Sequence, residues 1–263
     1  MAEAPLTVLV TNDDGIHADG LVTLETIART LTDEVWIVAP EVEQSGASHS
    51  LSLANPIRLR RLDDRRFAVQ GTPADCVLMA LRKVMPRPPD LVLSGVNRGQ
   101  NLADDVTYSG TIAAAMEGTA LGLKSIALSQ SYGVHSEGRL RFEVAATHGP
   151  ALVKRLAGVD LGPGILLNVN FPDCDPDAVE GLQVTRQGKH DQSLLVVEER
   201  VDTRSRPYFW LGFKRDRSDA APGTDLRAIY DRRISITPLH MNMTQLEAID
   251  VLRTRLESQP GAR

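Results

Sequence analysis

Apolar positions in the first half of this chain fall in short blocks whose internal spacing switches between two periods. Leu6 to Thr11 (LTVLVT) is a β-branched run ending on the polar NDDG, the profile of a parallel strand buried on both faces. Leu21, Leu24, Ala28 and Leu31 then recur at helical spacing, and Val35 to Ala39 (VWIVA) is a second buried strand stopped by Pro40. After the polar loop EVEQSGASHS, two strand-like runs between Ile57 and Val69 flank Asp63-Asp64 and predict a hairpin, with the Arg run of residues 58–66 on its solvated face. Pro73 stands where a first-turn helical proline belongs, and Val77, Leu78, Leu81 and Val84 mark one apolar face behind it. Asp90 to Ser94 (DLVLS) is a third buried strand running into GVNRGQN. A helix begins near Ser109-Gly110-Thr111 and turns Ile112, Met116 and Leu121 inward, and Lys124 to Ser129 gives another strand. Leu140 to Leu156 reads as a helix that Gly149-Pro150 should kink or split, and Ile165 to Asn170 closes the series.

Short apolar strands alternating with helices predict an α/β fold with a doubly wound, mainly parallel sheet. The texture changes after about Val179. Leu194 to Val201 and Tyr208 to Phe213 (YFWLGF) look like the arms of an antiparallel hairpin, and so apolar a segment outside the βα alternation calls for a covering surface such as a second subunit. Asp225 to Tyr230 reads as a short helix, Ile234 to Thr237 as a strand, and Thr244 to Leu256 as a closing helix with Leu246, Ile249 and Leu252 inward. The expectation is one domain over 1–263, its core about 1–185 plus 230–257, with a protruding arm of about 190–225.

Composition narrows the class. With 263 residues, 42% hydrophobic, 24% charged and a net charge of -5, the chain is globular and lacks the basic stripe of a nucleic-acid-coating protein. No apolar stretch approaches a membrane span, and the opening MAEAPLTVLVTNDDG has neither the length nor the basic flank of a secretory leader, so a reduced, cytoplasmic setting is expected. Cys76 and Cys174 lack zinc-site spacing and read as packing residues.

The candidate chemistry sits at strand ends, where open α/β sheets bind ligands. Asn12-Asp13-Asp14-Gly15 ends the first strand, Ser45 lies in the loop after the second, and Ser94-Gly95-Val96-Asn97 ends the third. Adjacent carboxylates at a buried strand end call for a neutralising cation, and an all-oxygen set of Asp, Ser and Asn suits a hard ion. Tyr108-Ser109-Gly110-Thr111 before an Ala-rich helix reads as a helix N-cap or as an anion site; beside a metal site the anion reading is favoured, because Gly110 lets a phosphate approach the backbone.

TNDDGIHADGL, the AP-x4-SGASHS loop, GTPADC, SGVNRGQN, YSGTIAAAMEG and ISITPL occur here in the order in which they occur in the SurE family, which this chain resembles from residue 11 to about 239. The resemblance implies a Rossmann-like core, hydrolysis of nucleoside 5′- or 3′-monophosphates, one divalent cation per subunit (Mg²⁺ or Mn²⁺), and a homodimer or homotetramer that exchanges C-terminal elements. Carried over by position, the metal ligands are Asp13, Asp14, Ser45 and Asn97, of which Asp13, Asp14 and Asn97 also carry catalysis. Asn12, Asn101, Ser109, Gly110 and Thr111 fall on the substrate side. Short polyphosphate is a further substrate of some members. The loop departs from the pattern at Glu41 and Gln44, where members often carry Asp and Arg, which removes a positive charge near the entrance.

Two rival readings remain. A haloacid-dehalogenase-type phosphatase needs a second carboxylate two positions after the first, where this chain has Gly15. A nucleotide-binding protein without catalysis needs phosphate-cradling glycines but no carboxylate pair. Among the histidines, His49 is the one best placed for acid–base work, and Trp36, Tyr108 and Trp210 read as packing residues more readily than as base-stacking ones.

Overall fold

The computed structural model describes residues 5–133, 135–136, 141–191, 195–213 and 219–257. Its strands are β1 (Val8–Thr11), β2 (Val35–Pro40), β3 (Arg58–Asp63), β4 (Arg66–Gln70), β5 (Leu91–Arg98), β6 (Lys124–Gln130), β7 (Ile165–Phe171), β8 (Leu182–Val184), β9 (Leu195–Val201), β10 (Pro207–Phe213) and β11 (Ile234–His240). The helices are α1 (Asp19–Arg29), α2 (Pro73–Met79), α3 (Gly110–Ala120), α4 (Glu143–Ala157), α5 (Asp225–Tyr230) and α6 (Leu246–Leu256). Nine strands form one sheet in the order β3-β4-β2-β1-β5-β6-β7-β11-β8, while β9 and β10 pair apart as a hairpin. From β4 to β7 neighbouring strands run parallel; β3 and β11 are antiparallel to β4 and β7.

The chain passes from β1 to β2 on one side and later to β5 on the other, so the crevice between the carboxyl ends of β1 and β5 is the switch in strand order. Alternation along β1 explains why the strand is apolar throughout. Val8 and Val10 join the cluster of Leu21, Leu24, Ile27 and Val153, while Leu9 points to the other face and packs with Val77, Ala80 and Ala114. Each such fully buried side chain contributes roughly 2 kcal/mol of transfer free energy.

Local signals place the elements. Thr72 and Asp75 form a reciprocal capping box at the start of α2, with Pro73 in the first turn. A π-helical turn, Ala80–Val84, continues α2, and a 3₁₀ turn, Ala103–Thr107, precedes α3. The Arg run on the β3–β4 hairpin is ion-paired rather than merely solvated: Arg60 meets Glu41, Arg65 meets Glu34, and Arg66 reaches Glu25 on α1. Trp36 stacks on Phe67 and carries Arg65 over its ring, so it packs against the sheet edge.

Two expectations are corrected. Gly149-Pro150 does not split α4, which runs unbroken from Glu143 to Ala157. Gly149 is there for closeness: a Cβ on it would sit 2.6 Å from Ile27 Cδ1 of α1, so the helix crossing offsets the amide bond that Pro150 withholds. The closing helix α6 buries none of the three residues expected inward, and only Ile249 is so much as half-buried. Leu246 is 68% and Leu252 56% exposed, and none of its residues is buried. Leu140 and Leu194, expected at element starts, lie outside the described residues.

Candidate active site

The first strand delivers Asp13 into the switch crevice with only 4% of its surface exposed. Its carboxylate meets the start of α3 directly. Thr111 Oγ1 donates to Asp13 Oδ1 at 2.5 Å, the Thr111 backbone N–H adds a second bond, and a Cβ on Gly110 would lie 2.7 Å from Asp13 Cβ. Gly110 therefore permits contact that no other residue would allow. Burial pushes the Asp13 carboxyl up to about 6, against the ordinary 3.8; the Thr111 bond pulls it down and the neighbouring Asp14 raises it again. Asp14 is also raised by burial; the Arg98 N–H, 3.1 Å from its Oδ2, opposes the rise, and the Glu43 charge adds to it.

Ser109 caps α3 by accepting from the Ile112 N–H at 3.1 Å, which leaves its own hydroxyl hydrogen for another acceptor. The helix start thus serves first as the holder of Asp13, an acid placed at the positive end of a helix dipole. Asn12 donates from Nδ2 to Gly15 O at 2.9 Å, and its Oδ1 is buried without a protein partner. Asn97, half-buried at the end of β5, donates from Nδ2 to Gly99 O at 2.9 Å, so its oxygen is the free end of the amide. β5 reaches Asn97 because Gly95, at φ 129°, lets the strand press on β6; a Cβ there would sit 2.1 Å from Leu128 O.

Ser45 lies on the exposed loop after β2, where its hydroxyl donates to Glu43 Oε1 at 2.8 Å. The loop is drawn to the carboxylates by its backbone, through Gln44 N–H to Asp13 O at 2.8 Å. Asn101 belongs one layer deeper. Its N–H donates to Asn170 Oδ1, its Nδ2 to Ser129 Oγ at 2.9 Å, and its carbonyl accepts from Asn168 and Asn170. The structure thus joins Asp13, Gly110 and Thr111 in contact, holds Asp14 beside the end of β5, and sets Asn101 in a buried amide lattice.

Sequence reasoning passed over Glu43, which holds Ser45 and faces Asp14, and over Asn168 and Asn170. Two asparagines two positions apart on the buried strand β7 were the available signal, since such groups persist only when bonded. Tyr108, beside Ser109, is 66% exposed, which excludes core packing for that ring, and Glu41 is spent on Arg60 and Gln70. Among the described residues no group of three or more His, Cys, Asp or Glu converges as a metal cluster, and no helix is long and apolar enough to cross a membrane.

Fold and site together define a doubly wound α/β protein whose switch-point crevice holds two adjacent carboxylates, Asp13 against the N-terminus of α3 and Asp14 beside the end of β5. The chain belongs to the SurE family: the family model described as Survival protein SurE matches residues 8–193. Relatives named 5′-nucleotidase SurE include one from Methylobacterium nodulans, 58% identical over 91% of this chain and 95% of its own length. Another, from Parvibaculum lavamentivorans, is 58% identical over 98% of this chain and 94% of its own. The crystal structure of the SurE protein from Aquifex aeolicus superposes with a TM-score of 0.82 at 36% identity, covering 95% of this chain and 99% of that one.

Proposed function

We propose that this protein is a divalent-metal-dependent 5′-nucleotidase that hydrolyses nucleoside 5′-monophosphates to nucleoside and phosphate. It also accepts 3′-monophosphates and short polyphosphate. The names of its relatives support the nucleotidase assignment, and one observation supports the chemistry. Asp13 packs on Gly110 and Thr111, so a cation held by the carboxylates and a phosphate drawn to α3 share one locus.

The residues present fit a hard cation. Two carboxylates are raised by burial, Asp13 further by the Asp14 charge and Asp14 further by the Glu43 charge; the buried Asn12 Oδ1 beside them has no protein partner, and the candidate ligand atoms are all oxygen. Asp13, Asp14, Ser45 and Asn97 would hold Mg²⁺ or Mn²⁺, one per subunit. When bound, that ion supplies charge neutralisation to the phosphate and acidity to the attacking water. The chain does the rest. Thr111 fixes the Asp13 carboxylate in one rotamer, and the positive end of α3 attracts the phosphate. The Ser109 hydroxyl and the Asn97 amide stabilise charge on its equatorial oxygens.

Release of inorganic phosphate from 5′- and 3′-monophosphates, in EDTA and then with Mg²⁺ or Mn²⁺, tests this reading. Turnover restored by metal supports it; binding of nucleotide without release under any metal points to a non-catalytic module. A trapped phospho-aspartate would instead restore the dehalogenase-type mechanism, which Gly15 argues against. The apolar hairpin, with Trp210 57% and Leu211 75% exposed, supports assembly as a homodimer or homotetramer. A monomer by sedimentation at micromolar concentration would remove that part.

A further inference from the structure

Four residues past Ser45, His49 crosses to α3, where its Nε2 lies 2.8 Å from Glu117 Oε2. The Glu117 side chain is 12% exposed and that of His49 30%, so the bond reaches from the protein surface to a buried carboxylate on α3. Neither residue belongs to the cation or phosphate sites described above. The neighbouring bonds act in the same sense. Ser48 Oγ donates to Thr107 O at 2.8 Å, in the turn that leads into α3. Ser50 O accepts from Thr72 Oγ1 at 2.7 Å, and the Ser52 N–H donates to Asp75 Oδ1 at 3.1 Å, both at the cap of α2. Ser48 itself stands at φ 52°, a left-handed conformation that a serine keeps only when its surroundings hold it.

At its other end the same loop is tied to Asp13 O through the Gln44 N–H. Ser45, Gly46 and Ala47 therefore span two anchors, one on the carboxylate strand and one on the helix whose first turn grips Asp13. We propose that His49 is a positioning residue: its bond to Glu117 fastens the Ser45 loop to α3 and sets where Ser45 stands relative to Asp13 and Asp14. The proposal rests on the metal-dependent reading given above. It differs from a proton-transfer role for the imidazole. Glu117 lies seven residues beyond Gly110, about two helical turns or roughly 10 Å along α3, and holds His49 well away from the anion turn.

The test compares His49→Leu, which removes the donor, with His49→Gln, which keeps an N–H for Glu117, and with Glu117→Ala. Mn²⁺ binding is followed by calorimetry, and backbone hydrogen exchange is followed over residues 44–50 of the metal-free protein. His49→Leu and Glu117→Ala should each weaken Mn²⁺ binding about tenfold, the usual cost of losing a group that orients a ligand. Both should speed exchange in the loop while leaving the nucleotide KM at saturating Mn²⁺ near wild type. The double variant should be no worse than either single one, and His49→Gln should restore most of the affinity. Wild-type affinity and exchange in His49→Leu would overturn the proposal. So would a His49→Gln variant that binds Mn²⁺ normally but has lost turnover, which would make the imidazole a reacting group. If one variant fails to fold, the other side of the pair carries the comparison. If the wild type releases no phosphate with any metal, the functional reading falls, and loop exchange alone still decides whether the clamp exists.

Discussion

Removing the charge of Asp13 should make the metal-free protein more stable while abolishing its activity. Burial holds this carboxyl at about 6 in the folded chain against the ordinary 3.8. Between those values the folded state binds more protons than the unfolded one, so stability falls as pH rises through the window and stays lowered above it. The gap, at 1.36 kcal/mol per pH unit, is about 3 kcal/mol. Asp13→Asn keeps the volume and one oxygen to accept from Thr111, so it removes the charge at the cost of one acceptor oxygen, which makes the gain worked out here an upper bound. In EDTA at pH 8 the variant should therefore gain up to about 3 kcal/mol, or roughly 6–12 °C in Tm for a chain of this size. At pH 4.5 the gain should shrink to about 1 kcal/mol, because the wild-type group is by then mostly protonated in the fold. Thermal unfolding of both proteins at the two pH values, at one protein concentration, reads the difference directly. Saturating Mn²⁺ should raise the wild-type Tm and leave the variant unmoved. A variant no more stable than wild type at pH 8, or a difference independent of pH, would refute the view that Asp13 is a strained, cation-seeking carboxylate.

Further outcomes follow from the same geometry. Gly110→Ala forces a Cβ to within 2.7 Å of Asp13 and should cost about 1–3 kcal/mol of stability and on the order of a hundredfold in kcat, measured by melting and phosphate release. Thr111→Val deletes the bond that lowers the Asp13 pKa, so the acid limb of the kcat/KM profile should move to higher pH; an unmoved limb would separate Asp13 from that ionisation. His190 is raised above its usual value chiefly by its bond to Asp105. The stability that this pair contributes is fully present below the unfolded histidine pKa and is lost as pH rises through the folded one. His190→Gln should accordingly lower Tm more at pH 6 than at pH 9, and equal losses would assign the residue a packing role only.

Much of the sheet is readable from the chain because its strands are covered on both faces. VLVT, VWIVA and ILLNVN carry their burial in their own composition, and Pro73 marks a helix start that the Thr72–Asp75 capping box, found only in the structure, completes. The carboxylate pair and the Ser109–Thr111 turn were visible as polar residues at apolar boundaries. Their contact was not, since nothing local says that residues 13 and 110 touch. The pattern of DLVLS suggested a strand ending at Ser94, yet β5 runs on to Arg98, because Gly95 trades the apolar signal for closeness to β6. Leu246 and Leu252 misled for a different reason. Helical periodicity reports that one face avoids water and does not say whether the same chain supplies the cover. Gly149-Pro150 looked like a breaker because the close approach of α1 has no sequence signature.

The hairpin leaves and rejoins the sheet at a single place. β8 and β11 lie side by side and run parallel, and Arg186 bridges Thr224 near the foot of the excursion between them. Topologically the arm is an insertion: its length and sequence can drift, or its tip be cut, while the six residue pairs of β11 with β7 keep both fragments in one sheet. A change confined to the β9–β10 hairpin then leaves the bonds of Asp13 and Asp14 as they are, and the root of the arm, through His190 on Asp105, stays tied to the turn before α3. Lineages carrying this architecture are free to revise the hairpin on a different evolutionary clock from the one that governs the crevice.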